Sequence, residues 1–248
     1  ILVDDLKAFR VRKVFTAGRL IAEDGRVLTP LDDAAAGAPS HSIHLKPLAE
    51  DALSLPVRTG KARVIGIEPA SLVTKSLVRE VKTDDAGCFQ SALNPGLTKI
   101  AVIERHKRTG KLGIGILEGY GLTGGAIATT ISHDSHNIVV AGDNDPDMLL
   151  AVRELADMGG GIVSVHGGSI RRLPLPIAGL MTSADPQEVN AVLHDMLVAA
   201  RAELGIPEDV EPFMTLSFMA LPVIPELKLT ARGLFNVNTF SFVGVEAD

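Results

Sequence analysis

Short apolar runs separated by turn residues dominate the chain between Ile43 and Ala141. Runs of about four to eight residues that are rich in β-branched side chains are typical of strands. The runs predict strands over residues 62–67, 72–81, 99–104, 113–117, 126–131 and 138–141. Only two later stretches have strong helical spacing, so strands and helices do not alternate regularly. The pattern therefore predicts an α+β fold with mixed or antiparallel sheets and two main helices.

Both helical stretches begin with an Asp-Pro pair. Asp145-Pro146 offers a capping side chain and a proline at the helix start, with apolar residues at helical spacing up to residue 156. Asp185-Pro186 repeats this arrangement, and its apolar positions continue from residue 189 to residue 200. Gly159 and Gly205 are the expected helix stops. The two helices are expected to pack on the preceding sheet.

Two further segments near the C-terminal end have strand-like patterns. Apolar runs on both sides of residues 166–169 (His-Gly-Gly-Ser) predict a β-hairpin over 161–173. Residues 213–219 place Thr215 and Ser217 at alternate positions in an apolar run, which predicts a strand. We therefore expect Thr215 and Ser217 on one strand face.

The first 30 residues form a separate pattern. Short apolar runs with turn signals at Ala17-Gly18 and Asp24-Gly25 predict a β-meander that is too small to fold alone. Residues 31–42 lack periodicity and predict a connector, so a second domain is expected over 43–248. Because the chain opens with Ile1 inside a strand-like run, we expect it to be a piece of a longer protein.

Composition narrows the classes of function. A net charge of −6, an aromatic content of 4% and the absence of Trp argue against nucleic-acid binding, which uses a basic face and stacking rings. No apolar run reaches the roughly 18 residues of a membrane span. The single cysteine, Cys88, excludes an internal disulfide and a cysteine-rich zinc site, as expected in a reducing cytoplasm. We therefore expect a cytoplasmic globular protein.

The densest chemistry of the chain lies in residues 131–137, between two predicted strands. This segment contains His133, Asp134, Ser135, His136 and Asn137 in direct succession. We expect the segment at a strand end or tight bend, where polar side chains must be hydrogen-bonded, exposed or functional. The segment is therefore the first candidate for a functional site.

Several blocks of sequence, in one order, resemble the C-terminal domain of bacterial adenine deaminase. The blocks are residues 103–106 (Ile-Glu-Arg-His), 109–111, 119–121, 125–128, 133–137 (His-Asp-Ser-His-Asn), 175–181 and 221–227. The resemblance covers about residues 43–248. Residues 1–28 resemble the closing strands of the small β-sandwich that amidohydrolase-superfamily enzymes attach to their barrel.

The resemblance implies a homo-oligomeric enzyme of purine salvage that hydrolyses adenine to hypoxanthine and ammonia. It implies one or two divalent metals, Mn, Fe or Zn, in an N-terminal TIM barrel, where a metal lowers the pKa of bound water. The chain contains no His-x-His sequence, and the ligands of the barrel would precede residue 1. We therefore expect no metal ligand in this chain and no activity from this chain alone. Its expected partners are adenine and its own barrel.

Three hypotheses compete for residues 133–137. In an extended strand, His133 and His136 point to opposite faces, so a shared metal requires a backbone bend. Asp134 and His136 share a face, and an Asp that holds an imidazole tautomer is common in catalysis. The segment would then line or close the adenine pocket, with Ser135 and Asn137 as further contacts. The third hypothesis is a hydrogen-bonded network that only fixes a strand junction or the interface with the barrel.

Four other residues are candidates for substrate contact. Glu104 and His106 share a strand face and form a possible acid/base pair or an exposed strand end. Tyr120, between Gly119 and Gly121, is either the stacking ring of a flexible lid or a packed core residue. Ser217 is a candidate contact for a flat base in a binding pocket.

The function of the chain has two alternatives beside the enzyme fragment. It is either a noncatalytic module that stabilises the barrel or builds the homo-oligomer, or part of a deaminase for a related aminopurine. Pocket shape separates such substrates by modest energies.

Overall fold

Residues 1–29 form a four-stranded antiparallel meander in the computed structural model, which describes residues 1–29 and 41–247. Its strands, in spatial order, are β1 (Leu2–Val3), β2 (Val11–Thr16), β3 (Arg19–Glu23) and β4 (Arg26–Val27). The predicted meander is confirmed. The predicted connector falls almost wholly on residues 30–40, which lie outside the described residues.

Residues 41–247 form a second compact unit around an eight-stranded sheet. Its strands are β5 (Lys61–Ile67), β6 (Thr74–Glu80), β7 (Leu97–Ile103), β8 (Leu112–Glu118), β9 (Gly125–Thr129), β10 (Ile138–Gly142), β11 (Gly161–His166) and β12 (Ser169–Pro174). The spatial order is β12-β11-β9-β10-β7-β8-β5-β6, with β5 and β8 parallel and every other pair antiparallel. The predicted strands and the hairpin are confirmed.

The central strands are mostly apolar and buried because both faces of the sheet are covered. In β7, Ile100 and Val102 belong to the core on one face, whereas Ala101 and Ile103 belong to the core on the other. Alternate side chains of a strand point to opposite faces, so a strand between two layers has no face in contact with solvent. A separate core around Phe89 lies near β5 and the short 3₁₀ turn Ser91–Leu93.

Helix α1 (Asp145–Asp157) covers one face of the sheet. Its buried residues Met148, Val152 and Leu155 pack in the core that contains Ala128 and Val140. The N-cap is Asn144, whose side chain accepts from the Asp147 backbone N–H, so the predicted cap at Asp145 is wrong by one residue. Asp145 instead pairs with the buried Lys99 at 2.5 Å between Oδ1 and Nζ.

Two helices, α2 (Pro186–Ala202) and α3 (Pro212–Met219), lie on the opposite face. The predicted N-cap of α2, Asp185, is confirmed. The fully buried residues of α2, which are Met196, Ala199 and Ala200, all lie in the C-terminal half of the helix. The strand predicted for residues 213–219 is wrong. Glu211 caps the segment and Pro212 begins it, so the apolar run is a short helix that is largely buried. The α+β fold is confirmed, with three α-helices instead of two in residues 1–29 and 41–247.

A three-stranded antiparallel sheet extends the layer of α2 and α3. It consists of β13 (Leu227–Thr230), β14 (Gly233–Asn236) and β15 (Ser241–Phe242), and Leu227, Leu229 and Leu234 join the core on this face. None of the helices in the described ranges is both long and apolar enough to cross a membrane.

Candidate functional site

Residues 131–137 form a turn that joins β9 to β10. The His136 N–H donates to the Ser132 carbonyl at 2.6 Å, and the His133 N–H donates to the Ser217 carbonyl of α3 at 2.9 Å. His136 has a positive φ of 47°. The tight bend expected between the two strands is therefore confirmed, and the segment is not the extended strand in which His133 and His136 would point to opposite faces. The turn brings the His133 and His136 rings to 6.0 Å between centroids.

The turn exposes Asp134 and Ser135 and half-buries the two histidines. No hydrogen bond joins Asp134 to His136 in the described part of the chain, so the structure does not show the predicted tautomer-holding pair. Asp134 still acts on His136 through its charge, which favours the protonated imidazole. His133 and Asp134 thus both influence the protonation of His136, although no hydrogen bond joins Asp134 to the imidazole.

Three polar atoms of the turn are buried and have no hydrogen-bond partner among the described residues. They are Ser132 Oγ, His136 Nδ1 and Asn137 Oδ1. A buried polar atom that is left unpaired costs about 1–3 kcal/mol, and native proteins contain few of them. Their concentration in six residues makes the turn the strongest candidate for a functional site in the described part of the chain, and a ligand reaches these atoms only when the turn opens.

The His136 imidazole is held in its neutral form. Burial lowers its pKa from the usual 6.5, the nearby His133 and Arg105 lower it further, and Asp134 opposes them. A neutral imidazole has one donor and one acceptor nitrogen. His136 is therefore suited to hydrogen-bond a polar heterocycle or to move a proton near neutral pH.

Arg105 lies directly behind the turn and was not among the residues singled out from the sequence. Its side chain is 1% exposed and donates to the carbonyls of His136, Ala178 and Ser42 and to the Ser42 hydroxyl. Arg105 directly follows the strand predicted over residues 99–104, and an arginine at a strand end is usually exposed to solvent. Only the tertiary contacts reveal its burial.

Glu104 and His106 do not form the predicted acid/base pair. The Glu104 carboxylate accepts from the backbone N–H groups of His106, Lys107 and Thr109 and from the Thr109 hydroxyl. The exposed His106 ring instead lies 2.8 Å from the Ser135 carbonyl through Nε2. Since a carbonyl only accepts, His106 donates from Nε2 and ties its loop to the turn of residues 131–137.

Glu104→Gln should destabilise the protein by about 1–2 kcal/mol at neutral pH, because a charged acceptor of several N–H groups is lost. Burial alone would raise the pKa of Glu104, but the hydrogen bonds hold it at about 2 instead of 4.5. The contribution of Glu104 is thus present above pH 4.5 and lost as the pH falls towards 2. Urea unfolding between pH 7 and pH 2.5 measures it.

The matched control is Glu50→Gln, at an exposed position. The Glu104→Gln protein should lose less stability on acidification than the parent protein, while Glu50→Gln should follow the parent. Equal acid sensitivity of the Glu104→Gln and parent proteins would show that the carboxylate does not organise the loop.

An apolar cleft of about 430 Å³ opens beside His133, between α2, α3 and the sheet. Leu193, Phe213 and Met214 line it, and the Phe218 ring lies 4.6 Å from the His133 ring between centroids, tilted by 37°. Ser217 also lines the cleft, but its hydroxyl donates to the Met214 carbonyl at 2.8 Å. Clefts with this mixture of apolar walls and few polar groups are typical of sites for flat organic ligands.

Tyr120 is a packed core residue, which was one of its two predicted roles. Its ring is fully buried, and its hydroxyl donates to the Pro212 carbonyl at 2.9 Å. Burial raises its pKa well above 10.0. A ring without an exposed face cannot stack on a ligand, so the lid hypothesis for Tyr120 is wrong.

The turn and the cleft together form the candidate site. The structure brings together six of the predicted residues, which are His106, His133, Asp134, Ser135, His136 and Asn137, with Ser217 at the cleft wall. It adds Arg105 and Phe218. In residues 1–29 and 41–247, no three His, Cys, Asp or Glu side chains are arranged to hold a metal ion.

Comparison with known proteins relates this chain to one family. Residues 71–241 match the family model described as the adenine deaminase C-terminal domain. The chain is 57% identical over 246 residues to an adenine deaminase of Nitratidesulfovibrio vulgaris strain Hildenborough, a match that covers 99% of this chain and 42% of that protein.

Other relatives match over the same extent. An adenine deaminase 2 of Carboxydothermus hydrogenoformans is 45% identical over 99% of this chain and 43% of its own length. An adenine deaminase of Geobacillus kaustophilus is 42% identical over all of this chain and 43% of its own length. The chain thus spans less than half the length of these relatives. It belongs to the adenine deaminase C-terminal domain family.

Proposed function

We propose that the chain is the C-terminal portion of a cytoplasmic, metal-dependent adenine deaminase of purine salvage, and that the turn of residues 131–137 contributes to its adenine site. The enzyme hydrolyses adenine to hypoxanthine and ammonia. The observation that carries the proposal is the group of buried, unpaired atoms at Ser132, His136 and Asn137. The names of the relatives supply the substrate.

The chemistry of the site matches a purine base. Adenine has a flat face and an edge of alternating donors and acceptors. The His133 and Phe218 rings offer aromatic surface beside an apolar cleft. His136 Nδ1, Ser132 Oγ and Asn137 Oδ1 have unused hydrogen-bonding capacity for a polar edge, which they reach when the turn opens, because all three atoms are buried. An enzyme that uses such bonds rejects analogues that leave them unmade.

The divalent metal, Mn, Fe or Zn, is assigned to the rest of the enzyme. The described residues offer no cluster of three metal-binding side chains, so they do not fit a metal. The role of this chain in the reaction is thus to bind and orient the base and to exclude water from it.

A second candidate function is a noncatalytic scaffold. The unpaired atoms of the turn would then bond to the N-terminal barrel, and the apolar cleft would receive a side chain from the barrel or from another copy in a homo-oligomer. The apolar lining of the cleft favours this alternative. A deaminase for a related aminopurine is a third candidate, because the remainder of the enzyme supplies the other substrate contacts.

His136→Ala in the complete enzyme should lower kcat/KM for adenine by roughly 10- to 100-fold, because a buried hydrogen bond to the base is lost. Asp134→Asn should have a smaller effect, since Asp134 acts on His136 through charge. The melting temperature and the oligomeric state should not change. His194→Ala, at an exposed position of α2, is the control and should retain full activity.

The scaffold function predicts the reverse order of effects. If His136→Ala first lowers the melting temperature or dissociates the oligomer, while each folded molecule keeps its full activity, the turn is structural. Measurement of kcat/KM for adenine and for other 6-aminopurines with the parent enzyme settles the substrate.

A further inference from the structure

Arg105 is a buried cation without a carboxylate partner in the described part of the chain. Its guanidinium remains charged at all ordinary pH values, and burying such a charge is costly unless its N–H groups are bonded. Three carbonyls and one hydroxyl accept from it, with Nη2 to the Ala178 carbonyl at 3.0 Å and Nη1 to the Ser42 carbonyl at 3.1 Å. A buried charge of this kind contributes little net stability, which favours a role in shaping the site.

The carbonyls that Arg105 holds belong to backbone that is strained in two places. His136 and Ala178 have positive φ values of 47° and 57°. Non-glycine residues in this region cost about 1–3 kcal/mol each and persist only where the surroundings hold them. Arg105 donates to the carbonyls of both residues, so one planar guanidinium fixes two strained loops relative to each other.

The loop of residues 175–181 packs closely on the guanidinium. A Cβ on Gly179 would lie 2.9 Å from Arg105 Nη1 and 3.1 Å from Nη2. Gly179 has a φ of +72°, which glycine adopts without strain. The loop of residues 175–181 thus packs directly on Arg105, and the guanidinium lies between this loop and the turn of residues 131–137.

The charge of Arg105 also acts on His136. Four charged or titratable groups face His136, namely His133, Arg105, Asp134 and His106. Burial is the main cause that lowers the pKa of His136, followed by His133 and Arg105, whereas Asp134 raises it. Removal of the guanidinium therefore raises the pKa of His136 and favours its protonated form.

We propose that Arg105 is a positioning residue, which fixes the turn of residues 131–137 against the loop of residues 175–181 and so places His136 for substrate. The inference rests on the proposed function of the turn. Arg105 is buried and donates to the His136 carbonyl, so it acts through the turn.

Arg105→Lys and Arg105→Met in the complete enzyme separate geometry from charge. Lysine keeps the charge but cannot bond to three carbonyls in a plane, so kcat/KM for adenine should fall roughly 10-fold with an unchanged acid limb of the pH profile. Methionine should lower kcat/KM by roughly 100-fold and move the acid limb to higher pH, because the pKa of His136 rises. Arg171→Met, which breaks a surface ion pair with Glu203, is the matched control.

Gly179→Ala is the second variant if Arg105→Met does not fold, because its Cβ displaces the guanidinium and keeps the charge, while at a φ of +72° it also strains the loop of residues 175–181. It should reproduce the loss seen with Arg105→Lys. The inference is overturned if every Arg105 and Gly179 variant that folds keeps the kcat/KM and pH profile of the parent enzyme, even when its melting temperature falls. If His136→Ala also keeps full activity, the proposed function fails as well; if His136→Ala is impaired, only the role of Arg105 fails.

Discussion

The 248-residue chain produced alone should release no ammonia from adenine and bind no divalent metal tightly, whereas the complete enzyme should do both. The reason is that deamination needs a hydroxide nucleophile, which a metal supplies near neutral pH. The described residues hold no group of three metal-binding side chains. The expected effect is a loss of all measurable turnover. Ammonia release with adenine and elemental analysis for Mn, Fe and Zn measure it.

A chimeric enzyme provides the control for misfolding of the shorter chain. In this chimera, the present chain replaces the matching 42% of the Nitratidesulfovibrio vulgaris enzyme, to which it is 57% identical. Activity of the chimera would show that the chain itself is competent. Turnover with bound metal in the short chain would contradict the prediction and make His133, Asp134 and His136 the first ligands to mutate.

The strands of the large sheet were predictable because their signal is local. Runs such as residues 99–104 and 138–141 are short and rich in β-branched residues, and they become buried strands because layers cover both sides of the sheet. Helix α3 was not predictable from the same kind of run. Periodicity cannot separate a short buried helix from a buried strand, and the deciding residues, Glu211 and Pro212, lie at its start.

The candidate site was predictable in composition and only in part in geometry. The density of polar residues singled out 133–137 and their place between two strands predicted a strand end or tight bend, yet the turn also bonds to α3, from the His133 N–H to the Ser217 carbonyl. Ser217 lies far along the chain, so no local pattern reveals this contact. Arg105 was missed for the same reason, since its partners Ser42, His136 and Ala178 come from three distant segments.

Two glycines of β8 show how the three-stranded sheet can pack closely on the large one. Gly113 and Gly115 point to the same face because alternate strand residues share a face. A Cβ on Gly113 would overlap the Thr230 carbonyl oxygen and lie 2.9 Å from the Gly233 N. A Cβ on Gly115 would lie 3.5 Å from Leu229 Cδ1 and 3.6 Å from Ile100 Cγ2, which is ordinary contact. Of the two glycines, only Gly113 is thus required for the backbone between β13 and β14 to pack this closely on β8.

Gly113→Ala should therefore destabilise the protein by about 3 kcal/mol or more, because the turn between β13 and β14 must move away from β8. This change corresponds to a melting temperature lower by roughly 6–12 °C for a unit of this size. Gly115→Ala is the matched control on the same strand face. It should be neutral or stabilising by up to about 1 kcal/mol, since alanine reduces the freedom of the unfolded chain. Urea unfolding of both variants measures the difference, and equal stabilities would show that the hairpin of β13 and β14 does not rest on Gly113.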